Sequence, residues 1–178
     1  MVILVKHVLF MTLCFEGAGA LLSFLVFVQD HPPLEAIGIS IFHSIAAFNN
    51  SGFDILGGLQ NLIPYQNNLL LNLTTAGLII FGGLGFLVIL DILKKRSFRA
   101  LALHSKVVIV MSAVLILLGT LLLKATENVT WLGAFFQSVS ARTAGFSTYP
   151  IGSFTDAGLF VLILLMFVGA SPGSTGGG

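Results

Sequence analysis

The sequence predicts an all-α transmembrane fold built from two repeated units, each a helix, a half-length helix, a glycine-containing loop and a second helix. Three observations carry this reading. Hydrophobic residues make up 56% of the chain and charged residues only 8%, with a mean hydropathy of +1.03, more apolar surface than a water-soluble domain of 178 residues can hide. The apolar runs come in two lengths: roughly the 20 residues that cross a 30 Å hydrocarbon core, and about thirteen, which reach halfway. One short pattern also recurs in the same slot of both halves. Phe42-His43-Ser44-Ile45-Ala46-Ala47 matches Phe136-Gln137-Ser138-Val139-Ser140-Ala141 in type at most positions, and each leads to Gly-Phe, at Gly52-Phe53 and Gly145-Phe146, with one extra residue in the first loop.

In the first unit, residues 1–98, the apolar run 8–28 is a span. It continues past Ala18-Gly19-Ala20 and contains Glu16, which separates it from a cleaved signal sequence. Residues 36–48 form a half-helix, 49–54 a return loop, and 69–93 a second span whose Gly77, Gly82, Gly83 and Gly85 allow close helix approach. The second unit, residues 99–178, opens within the linker 94–106 and repeats the order with a span at 107–123, a half-helix at 129–141 and a loop at 142–147. Its last element, 157–178, starts as an apolar helix and is broken by Ser171-Pro172-Gly173. In lipid, where backbone polar groups must be satisfied internally, helices meet that demand and such a break needs protein or a wet cavity around it.

Lys94, Lys95, Arg96, Arg99 and Lys106 hold five of the eight cations. The positive-inside rule puts them, and Lys6, in the cytoplasm, with 29–68 and 124–156 outside. Both half-helices then dip inward from the outer face. Units of equal orientation are related by an axis along the membrane normal, where a pore or substrate path lies.

That geometry suits a cation. An ion leaving water needs oxygen ligands, and uncharged backbone carbonyls at the mouth of half-helices provide them. Glycine accepts positive φ and lets successive carbonyls turn toward one axis, and the negative C-terminal ends of both half-helices add a favourable field. The candidate ligands are the carbonyls of Asn50, Ser51 and Gly52, and of Thr143, Ala144 and Gly145. Asn49 flanks the first set, and Phe53 and Phe146 are expected to pack behind the two loops. The competing reading treats both loops as ordinary Asn-Ser-Gly turns.

Other polar residues are read more plainly. Arg142, facing a pore, would repel the permeating ion, so it is expected to point away and tie its loop down to an acidic group outside the two units. Glu16 is expensive at mid-span unless paired, protonated or in a wet ion path. His43 is a hydrogen-bonding residue, since no second metal ligand stands at helical spacing. The single Cys14 excludes an intramolecular disulfide and a Cys-type metal site. A net charge of +1 gives no basis for nucleic-acid binding, and no Ser, His and acid, or Cys and His, are placed for hydrolysis, so the chain is not read as an enzyme. The Gly/Ser-rich end lacks the lysine of a phosphate loop.

The strings 42–54, 140–146 and, most specifically, Gly169-Ala170-Ser171-Pro172-Gly173-Ser174-Thr175-Gly176-Gly177-Gly178 resemble the Ktr/Trk/HKT superfamily of K+ transporters, in particular its KtrB-type membrane subunit. The resemblance covers essentially the whole chain as the second and third of that family's four helix, pore half-helix, filter loop, helix units, arranged as in K+ channels. It implies that Gly52 and Gly145 are filter glycines and that residues 169–178 are an intramembrane gate loop. It also implies K+ uptake at the plasma membrane, with K+ as the only metal and no covalent cofactor, by a homodimer of a longer parent with a cytosolic nucleotide-binding regulatory subunit. Na+ permeation or Na+/K+ cotransport is the alternative within the superfamily. A secondary transporter of another small solute, or an assembly subunit without transport, is the alternative outside it.

Overall fold

The computed structural model describes residues 2–58 and 60–177. Helix α1 is Val2–Phe27, α2 Pro33–Phe48, α3 Leu69–Leu84, α4 Phe86–Lys95, α5 Leu103–Thr126, α6 Trp131–Ala141 and α7 Asp156–Val168. No strand occurs among the described residues. Two helices, α1 and α5, are long and apolar enough to cross a membrane by themselves.

Local chemistry sets the helix starts. Pro32 and Pro33 open α2, where a missing N–H costs nothing. The side chains of Asn68, Thr130 and Thr155 cap α3, α6 and α7 by accepting from Leu71, Gly133 and Gly158 N–H.

The expected continuous second span, 69–93, is not one helix. Gly85, at φ 89° and ψ 148°, ends α3, and α4 sets off at 96° to it. A left-handed residue in an extended setting interrupts the helical ladder, and only glycine adopts it cheaply. Gly85 therefore serves as a corner as well as a close-approach residue, and Gly77 has no atom near its missing Cβ. Gly82 is the tighter close-approach site, its absent side chain leaving room for the Phe48 carbonyl and Thr175.

α2 is held between α1 and α3, and α6 against α5, α7 and α3. The main core joins the two halves: Phe27, Ala47, Phe48, Leu71 and Ile79 from the first pack with Phe136, Ala144 and Phe146 from the second. A smaller core of Leu123, Phe154, Val161, Leu162 and Leu165 holds α5 to α7. Where lipid competes for apolar contact, close packing and interhelical hydrogen bonds decide which faces meet. Ser44 Oγ donates to the Glu16 carbonyl of α1 at 2.6 Å, and Ser138 Oγ donates to the Ile116 carbonyl of α5 at 2.9 Å.

Candidate functional site

The half-helices stop at related turns. After α2, Asn50 N–H returns to the Ala47 carbonyl and Ser51 N–H to the Ala46 carbonyl, with Asn50 left-handed at φ 53°, the arrangement that satisfies orphan C-terminal carbonyls. After α6, the N–H groups of Thr143, Ala144 and Gly145 all converge on the Ser140 carbonyl. Gly52 then turns at φ 69° and Gly145 at φ 85°.

These two glycines meet. A Cβ on Gly52 would overlap the Ala144 carbonyl oxygen and lie 3.2 Å from the Gly145 carbonyl carbon, whereas one on Gly145 would find only Gly52 Cα, at 4.0 Å. The six candidate carbonyls thus belong to two loops in van der Waals contact. Asn61, which the sequence gave no reason to single out, joins them: its Nδ2 donates to the Gly52 carbonyl at 3.3 Å, and its Oδ1 accepts from Ser147 N–H at 3.1 Å. The second loop is braced from within by Ser140 Oγ on the Phe146 carbonyl, 2.6 Å, and by Gln137 Nε2 on Ser147 Oγ, 3.0 Å.

The two phenylalanines part company. Phe146 is 1% exposed and packs edge-on to His43. Phe53 is 69% exposed, contrary to expectation. The first loop, one residue longer, carries a second left-handed residue, Asn50, that the second loop lacks. Phe27 and His43 pack edge-on to one another in the interior.

Beneath the loops, residues 169–177 fold back against the first half, and Gly178 lies outside the described residues. Gly169 ends α7 at φ 67°. Ser171 N–H donates to the Gly83 carbonyl and Thr175 N–H to the Gly82 carbonyl, both at 3.2 Å. Thr175 Oγ1 donates to the Phe48 carbonyl at 2.8 Å and accepts from Asn50 Nδ2 at 3.1 Å. Asn50 Oδ1 and Ser174 Oγ are buried without a protein partner. Of the remaining segment, Gly173 stacks its backbone on the Gly85 corner, and Gly176 leaves room for Ala170 and Thr143. Ala170 is half-buried and Pro172 and Gly177 are exposed.

Within this chain Arg142 is tied down by a backbone carbonyl and a serine hydroxyl. Its Nε and Nη2 both donate to the Gly169 carbonyl, at 3.3 and 3.2 Å, and Nη2 also reaches Ser112 Oγ at 3.4 Å. A guanidinium on the last carbonyls of α7 complements that helix's negative end. Asn49 Nδ2 bonds Glu16 Oε1 at 3.0 Å and the Ile45 carbonyl at 2.9 Å, so Glu16 is engaged by the end of α2. His43 Nε2 pairs with Thr75 Oγ1 at 2.8 Å. Among the described residues no group of three or more His, Cys, Asp or Glu could hold a metal ion. On the loop between α2 and α3, burial and the neighbouring Asp30 push Tyr65 up to about 12, keeping it neutral.

Comparison with known proteins gives this geometry a context. The chain is 37% identical over 189 residues to the Ktr system potassium uptake protein B of Vibrio alginolyticus, matching 98% of this chain and 41% of that protein. It is 34% identical over 186 residues to the potassium/sodium uptake protein NtpJ of Enterococcus hirae, with the same coverage. It therefore spans about two-fifths of the length of these relatives. The crystal structure of the potassium transporter TrkH from Vibrio parahaemolyticus has the same fold, with a TM-score of 0.72 over 97% of this chain and 37% of that one, at 24% identity. The TrkH family model, described as a cation transport protein, matches residues 1–125 and 107–178. Glycine-tipped half-helices that meet across a repeat thus sit in a chain that belongs to the TrkH family of cation transport proteins.

Proposed function

We propose that this chain supplies two adjoining quadrants of a K+-conducting pore in a plasma-membrane uptake system. The supporting observation is the contact between the Gly52 and Ala144-Gly145 loops at the ends of α2 and α6. Each half-helix contributes about half a negative charge at its C-terminal end, and a cation between the loops is favoured by both. The carbonyls of Asn50, Ser51, Gly52, Thr143, Ala144 and Gly145 are its ligands. The Gly52 oxygen, which Asn61 engages through one lone pair, keeps the other free.

Residues 1–98 and 99–178 are the two pore units, with the linker 94–106 cytoplasmic and the half-helices entering from outside. Residues 169–178 are the gate beneath the filter, held by Arg142 at the root and Thr175 further along. The resemblance extends the reading to a homodimer and to a cytosolic nucleotide-binding subunit on the face of Lys94, Lys95, Arg96, Arg99 and Lys106.

The test is ion uptake by the full gene product in cells lacking their own K+ uptake. Gly145→Ser is expected to lower the ratio of K+ to Na+ uptake by roughly tenfold or more, since a side chain strains the φ 85° backbone there and turns the loop carbonyls from their ligand positions. An unchanged ratio rejects the filter assignment. A second reading, combined Na+ and K+ transport, is favoured by the name of the Enterococcus relative. Stimulation of K+ uptake by Na+ at fixed membrane potential would select it.

A further inference from the structure

Asn61 lies nine residues beyond Gly52, outside both filter loops, yet its side chain reaches each of them. Its backbone is left-handed at φ 52°, a conformation that asparagine adopts more readily than most residues and that a fold retains where the surrounding contacts over-determine it. The contacts are specific. Nδ2 donates to the Gly52 carbonyl at 3.3 Å. Oδ1 accepts from Leu62 N–H at 2.9 Å and from Ser147 N–H at 3.1 Å. Leu62 N–H also donates to the Ser147 carbonyl at 3.0 Å, and the Leu62 side chain is 1% exposed in the joint core.

Building on the filter reading above, we propose that Asn61 is a positioning residue for ion selectivity: a single amide that clamps the Gly52 peptide of one filter loop to the Ser147 peptide of the next. Asparagine suits the task because one end donates and the other accepts. The donor end meets a carbonyl and the acceptor end meets amide hydrogens. The Gly52 carbonyl, held from the side by Nδ2, cannot rotate away from the Ala144-Gly145 loop without breaking that bond. Ser147 is itself braced by Gln137 at 3.0 Å, so the clamp runs from the first loop to the body of α6. The spacing of carbonyls contributed by two different units is thereby set by one side chain that need not touch the ion.

Two substitutions in the full gene product separate the clamp from general structure. Asn61→Asp keeps the left-handed preference and the acceptor for Leu62 and Ser147 but removes the donor to Gly52. Asn61→Gly relieves the backbone and removes the whole side chain. Both are expected to lower the K+ to Na+ uptake ratio, Asn61→Asp by roughly fivefold, the size of one net hydrogen bond, and Asn61→Gly by more. Asn61→Asp should also keep its membrane abundance and its thermal midpoint in detergent within a few degrees of wild type. Gly145→Ser, measured alongside, distinguishes the two levels of the argument. If it lowers the ratio while both Asn61 variants keep the wild-type value, the clamp is wrong and the filter stands. If none of the three changes the ratio, the filter assignment fails and the clamp with it. If Asn61→Gly alone lowers the ratio, with a matching loss of thermal stability, Asn61 is a structural loop residue and the proposal is overturned.

Discussion

In the first half of the molecule, the half-helix α2 seats Ser44 against Gly19 of α1, with Leu78 of α3 closing the contact. In the second half, α6 seats Ser138 against Gly119 of α5, with Leu165 of α7 in the same role. Each serine bonds the carbonyl three residues before its glycine, at Glu16 and at Ile116. Both half-helices are thus fixed by the same three-residue device, and both return helices end at a positive-φ glycine, Gly85 and Gly169. Beyond those glycines the halves diverge. After Gly85 the chain resumes a helix, α4, whereas after Gly169 it becomes the Gly/Ser loop that lies on Gly82, Gly83 and Gly85. A matched position shows what the divergence requires. Phe48 of the first half is buried in the core, while its counterpart Arg142 bonds the Gly169 carbonyl. The repeated device seats both half-helices, and the unmatched Arg142 binds the end of α7 from which the Gly/Ser loop departs.

The sharpest test of this comparison lies in the two loop glycines, Gly52 and Gly145. Gly52→Ala must adopt a strained φ and also overlap the Ala144 carbonyl, whereas Gly145→Ala meets only the strain. The first is expected to cost about 3 kcal/mol in stability and the second about 1 kcal/mol, with selectivity lost in the same order. Equal effects, read from thermal unfolding in detergent and uptake ratios, would mean that the loops do not abut.

Arg142→Met comes next. It releases the Gly169 carbonyl while keeping much of the side chain's volume, and K+ flux at low external K+ should rise several-fold, in line with the loss of charge-assisted bonds worth about 1.5 kcal/mol or more. Thr175→Val, which removes the hydroxyl between Phe48 and Asn50, should raise flux by about half that factor. Flux unchanged by both would show that these tethers do not restrain the loop.

Ser44→Ala and Ser138→Ala are expected to destabilise equally, by about 0.6 kcal/mol each, as interhelical hydrogen bonds in membranes do. A difference of more than about 1 kcal/mol between them would break the structural equivalence of the halves. The smallest effect belongs to Gly77→Ala. With no neighbour within 4 Å of the added carbon, it should be neutral or stabilise by up to about 1 kcal/mol through helix propensity, with transport unchanged.

Much of the site was legible along the chain because it is local. A half-helix, its C-terminal turn and a glycine occupy a dozen consecutive residues, so Asn50, Gly52 and Gly145 announce themselves by spacing. The fate of Phe53 was not legible, since the left-handed backbone of Asn50 just before it has no counterpart in the second loop. Nor was the partner of Arg142, a backbone carbonyl 27 residues away that no charge pattern marks. The bend at Gly85 was hidden by hydropathy, since the run 69–93 is strongly apolar on both sides of the corner.

Hydropathy and repetition by themselves determined the class of fold, the number of half-helices and the glycines at their tips, because these depend on residues near one another and on the thickness of a bilayer. Only the tertiary structure decided that the two loops touch, that Asn61 joins them, and that residues 169–177 dock on α3. Those outcomes rest on which backbone groups come within hydrogen-bonding reach across separations of up to 127 residues, and a sequence carries no period that encodes such a meeting.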